Sequence, residues 1–84
     1  MTTNQMARNA WLAAKDMGWE AYAEFDLSDV IEMAAVVAVH PQGHKALVTR
    51  WVEGEQSSRQ WVILTGGDLY EILEKHLRRF DALA

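Results

Sequence analysis

The chain has 84 residues, half of them apolar, no cysteine and a formal net charge of −4. That length predicts one small domain, 1–84, and the missing cysteines exclude disulfides, thiolate zinc sites and thiol nucleophiles and point to a cytoplasmic setting. The acidic balance weighs against direct nucleic-acid binding by the whole molecule, and no apolar run approaches the roughly 18 residues of a membrane span.

Residues 4–18 read as a helix. Met6, Ala10, Ala13, Ala14 and Met17 recur at helical spacing, and Trp11 and Leu12 widen the stripe. Asn4 suits the N-cap and Gly18 the stop. Alanine-rich on one side, this helix can approach a sheet closely. Trp19 to Leu27 then alternates. Trp19, Ala21, Ala23, Phe25 and Leu27 face one way and Glu20, Tyr22, Glu24 and Asp26 the other, which predicts a half-buried strand with an acidic solvent face. A helix competes for residues 20–33, because Glu and Ala favour it and Asp26 or Ser28 can cap a turn running to Met33.

Ala34 to His40 is an unbroken, valine-rich apolar run and reads as a central strand. Pro41 to His44 is a turn, Lys45 to Glu53 a strand, Gly54 to Ser58 a loop tip and Arg59 to Thr65 a third strand of the meander. Gly66-Gly67 ends it. Asp68 with Glu71 three residues on forms a capping box, followed by the apolar stripe Leu69, Ile72, Leu73, His76, Leu77 and Phe80, with Arg78 and Arg79 at the C-terminal end. The expected fold is α+β: an antiparallel sheet of three to four strands with an N-terminal and a C-terminal helix packed on it, the helices covering one face. Trp51 and Trp61, on adjacent strands, are expected to pair across them.

The chemistry-bearing residues are few. Asp16, Glu20, Glu24, Asp26, Asp29 and Glu32 form a block uninterrupted by Lys or Arg up to Lys45, whereas the rest of the chain carries eight basic residues against six acidic. A solvated face is the plain reading of these acids. The functional one is a surface that repels phosphate and attracts basic partners. His40 and His44 flank a turn that can bring them together, but no third metal ligand is evident, so neither metal nor cofactor is expected. No Ser-His-Asp spacing, phosphate-cradling glycine loop or H-E-x-x-H motif is present, and no catalytic residue is assigned. Of four tryptophans, Trp19 and Trp61 fit core positions, and Trp11 and Trp51 are the expected partly exposed ones, Trp51 being grouped with the acids as a partner-binding candidate. Lys45, Arg50, Arg59 and Lys75 would have to share a face with Arg78 and Arg79 to bind nucleic acid.

The stretches AVVAVHPQGHKA and RQWVILTGGDLYEILEKH, within 35–76, resemble the C-terminal part of phage-type Holliday-junction-resolvase-like nucleases of the PD-(D/E)xK superfamily. The resemblance covers about half the chain and lies mainly in the apolar pattern. Its catalytic motif is missing: Leu47-Val48-Thr49-Arg50 stands where an E-x-K would fall. What it implies is a remnant or accessory piece without nuclease activity. The residues themselves point first to a non-enzymatic protein-binding module, a small acidic inhibitor of the phage or mobile-element type, resembling anti-CRISPR proteins in size and charge, that docks on a basic surface of a host protein or nucleoprotein complex. A homodimeric structural module is the second reading.

Overall fold

The computed structural model describes residues 1–64 and 68–77, and of Asp68 the backbone. Helix α1 (Thr3–Asp16) is followed by strands β1 (Glu20–Glu24), β2 (Met33–Val39), β3 (Lys45–Val52) and β4 (Glu55–Ile63) and helix α2 (Asp68–His76). The strands form one antiparallel meander in the order β1-β2-β3-β4. The expected α+β class is the observed one. The capping box at Asp68, and the stretch from Arg78 through Phe80, lie outside the described side chains.

Helix α1 begins earlier than Asn4 suggests, because Thr2 and Gln5 cap it reciprocally. The Thr2 hydroxyl accepts from the Gln5 N–H at 3.1 Å, and the Gln5 side chain accepts from the Thr2 N–H at 2.9 Å. At the other end Gly18, with φ 85°, lets the N–H groups of Gly18 and Trp19 close on the carbonyls of Lys15 and Ala14 in a Schellman motif. The buried stripe is also turned from the expected one. Thr3, Ala7 and Ala14 face the sheet, Met6, Ala10 and Trp11 are half-buried, and Leu12, Ala13 and Met17 are exposed.

The expectation that both helices cover one face is corrected. Ala34 to Val39 is buried at every position, so β2 is apolar on both sides and needs cover on both. On one side α1 packs Ala7 against Ala23, Ala34, Val36 and Trp51. On the other, α2 contributes Leu73 and, just past its end, Leu77, which pack against Val37, Val39, Ala46 and Val48. The third strand is also longer at its start than expected. Glu53 (φ 48°) and Gly54 (φ 82°) both take positive φ, the pattern of a two-residue type I′ hairpin turn, so β4 starts at Glu55 instead of Arg59. A register shift between Arg50 and Trp51 absorbs one extra residue of β4. Trp61 consequently faces Leu47, and Trp51 faces Gln56, so the two tryptophans are not cross-strand partners.

Candidate functional site

The acidic block does not form one patch. β1 ends at Glu24, and Asp26 takes φ 55°, which breaks the alternation that placed Glu20, Glu24 and Asp26 side by side. Glu24 is only 5% exposed, on the α2 side of the sheet opposite Ala35, against the expectation of a solvent-facing acid. Glu20 lies at the far end of β1, paired with Val39, with the C-terminus of α1 and Asp16. The Tyr22 hydroxyl donates to Glu20, and partial burial together with that carboxylate pushes its pKa up to about 12.

Asp26, Asp29 and Glu32 are exposed at the opposite end, in the β1–β2 connection. There they meet two acids that the linear block leaves out. The Glu53 N–H donates to the Glu32 carbonyl at 2.8 Å, joining the β3–β4 turn to the β1–β2 connection and adding exposed Glu53 and Glu55 to the same end. The first turn of α1 holds both loops. Asn4 donates to the Asp26 carboxylate at 3.0 Å and accepts from the Asp26 N–H, and buried Thr3 accepts from the Gly54 N–H at 2.7 Å. The sequence signal that could have found the extra acids is Glu-Gly between two strands, a two-residue turn with a residue other than the favoured Asn or Asp at its first position.

A second feature lies on the α1 face. Helix α1 covers β1, β2 and part of β3, leaving a groove of about 440 Å³ beside β4, lined among others by Ala10, Ala14, Met17, Leu47, Arg59 and Trp61. The tryptophan expectations are reversed here. Trp51 is buried, 6% exposed, at the floor of this face, while Trp61 is 46% exposed. Core volume between α1 and the alanines of β2 is what Trp51 fills. From Trp61 a ladder of rings runs to the β2–β3 turn: Trp61 to Trp19 at 6.0 Å, Trp19 to His40 at 5.2 Å and His40 to His44 at 4.9 Å, with Lys45 Nζ 4.3 Å from the Trp61 ring centre. Partial burial, then the neighbouring His44 and Lys45, lower the His40 pKa from its ordinary value. Its Nδ1 accepts from the Gln42 N–H at 3.1 Å. The two turn histidines do come together, but among the described residues no three His, Asp or Glu side chains group so as to hold a metal ion.

The basic residues do not align. Arg59 pairs with Thr49 and looks onto the α1 face, whereas Arg50 pairs with Ser58 and lies on the α2 face beside Met33, His76 and Lys75. A single basic stripe through these residues is therefore not built. Burial, Arg50 and Lys75 together lower the His76 pKa. Among the described residues no helix is long and apolar enough to cross a membrane. Comparison with protein-family models, curated proteins and solved structures finds no match to the chain, so the likeness to resolvase-type nucleases rests on sequence pattern alone.

Proposed function

We propose that this chain is a non-enzymatic protein-binding module that docks through its acidic end on a basic surface of a host protein or nucleoprotein complex. The observation that carries the reading is that Asp26, Asp29, Glu32, Glu53 and Glu55, all exposed, share one end of the sheet, on a β1–β2 connection and a β3–β4 hairpin tied to each other and to the α1 N-terminus. The ties hold the backbone that carries these carboxylates, so little loop ordering is needed on binding, and their summed field steers a basic partner into encounter. The finer form of the proposal is a small inhibitor of the phage or mobile-element type, anti-CRISPR-like in charge, whose carboxylates occupy phosphate positions in a nucleic-acid groove.

Capture from lysate, with the retained protein identified, tests this with three forms of the chain. The variant Asp26→Asn, Asp29→Asn, Glu32→Gln, Glu53→Gln is expected to lose the partner that wild type retains, while Asp16→Asn, Glu20→Gln, at the other end, keeps it. Wild-type capture is expected to weaken as salt is raised. Equal capture of the same partner by the acidic-end variant overturns the reading.

A further inference from the structure

The two edges of the sheet are finished differently. β1 has five residues, and its Ala21 carbonyl is taken by the Trp11 indole N–H at 3.0 Å. β4 has nine, and every one from Glu55 to Trp61 is exposed. It carries no proline or lysine, and its bulge lies near the hairpin turn, leaving 58–63 regular. Trp61 and Ile63, 46% and 67% exposed, stand on this edge. Long, unblocked edges of this kind are templates for another strand.

We propose that the occupant of this edge is a second copy of the chain, added antiparallel to β4 about a two-fold axis at Gln60. The register follows from backbone direction. The Leu64 N–H donates to the His44 carbonyl at 2.8 Å, so the alternate residues Val62, Gln60 and Ser58 turn their peptide groups toward β3 and Arg59, Trp61 and Ile63 turn theirs outward. Like-oriented residues must face each other across the new pair. Centring it on Arg59 opposes two guanidinium groups, which is unfavourable. Centring it on Trp61 sets Arg59 against Ile63 of the other copy, which leaves the guanidinium facing an aliphatic side chain. Centring it on Gln60 pairs the regular residues 58–62, sets Arg59 of each copy against Trp61 of the other as a cation–π pair made twice, and places the two Gln60 amides side by side. Charge is complementary along the strand as well: antiparallel pairing brings the Glu55 end of one copy toward the Lys45 and His44 end of the other. Asp26, Asp29, Glu32 and Glu53 lie outside the paired residues, and Glu55 is the one acid of that end the contact approaches, so the acidic-end variant, which keeps Glu55, is expected to dimerise as wild type does.

Sedimentation equilibrium over a wide concentration range reads the result. Wild type is expected to dimerise reversibly. Gln60→Lys and Gln60→Glu, at an exposed position, each place like charges on the axis and are expected to weaken dimerisation about tenfold or more, while their equimolar mixture restores it. Circular dichroism is expected to show both variants folded. A wild type that stays monomeric throughout, or a dimer that both folded variants leave intact, overturns the proposal.

Discussion

The two faces of the sheet are packed by different means. On the α1 side most buried residues are small: Ala7, Ala14, Ala23 and Ala34 are buried with Val36, Trp51 is the one large side chain buried among them, and Met6, Trp11 and Phe25 pack half-buried at the margin. On the α2 side the burden is spread over Leu27, Val37, Val39, Val48, Leu73 and Leu77. Small residues let a helix sit close, but each removes little apolar surface from water, so the α1 face gains proximity at the expense of burial. Trp51 is the largest single buried contribution to α1 docking, with Met6, Trp11 and Phe25 half-buried around it, whereas the other face can lose one side chain and retain most of its contacts.

Four substitutions separate the faces. Trp51→Ala is expected to cost the most, about 4 kcal/mol, because it empties the one large volume beneath α1. Leu73→Ala on the opposite face is expected to cost about 3 kcal/mol. If the two prove equal, or their order reverses, the contrast between concentrated and distributed packing fails. Ala7→Leu is expected to cost about 2 kcal/mol by forcing α1 off the sheet, since Ala7 is fully buried. Thr2→Ala removes one half of the capping box and is expected to cost about 1 kcal/mol. Urea unfolding followed by circular dichroism measures all four, with midpoint shifts at unchanged slope identifying losses of native stability.

The smallest expected effect is the pH dependence that His76 contributes on the α2 face. The folded state lowers the His76 pKa below 6.5 through burial and the charges of Arg50 and Lys75. The unfolded chain therefore takes up a proton first. The contribution of His76 is intact above its unfolded pKa and declines as the pH falls through that value to the lower folded one. His76→Gln is expected to make the loss of stability over this window shallower, as read from denaturation midpoints at successive pH values. An unchanged slope would remove His76 as the cause.

Much of this arrangement is legible in the residues. The run from Ala34 to His40 identifies the central strand because only a strand buried on both sides tolerates such continuity at that length. Its two-sidedness also implies cover on both faces, a consequence that the helix patterns, read separately, do not reveal. β4 is harder to read because an edge strand needs no apolar alternation, and Gln56-Ser57-Ser58 carries none. The acids are legible as a block but not as a surface. Glu24 follows the sheet inward, Glu20 is left at one end, and Glu53 joins Glu32 through a backbone hydrogen bond between segments distant along the chain. Trp51 and Trp61 exchange their expected exposures because α1 stops short of β4, and no local pattern in either strand encodes where a helix docks.

The bond from Gly54 to the Thr3 hydroxyl spans 51 positions of sequence. Helix α1 leaves the ribosome well before β3 supplies Trp51, and a 14-residue segment is near the length at which an isolated helix is marginal in water. Its docking must await the hairpin that carries Trp51 and Gly54, a non-local closure of the kind that slows folding. During that interval the apolar residues of β2 lack their α1 cover, which makes the nascent sheet the stage of synthesis at which this protein is most open to association with other chains.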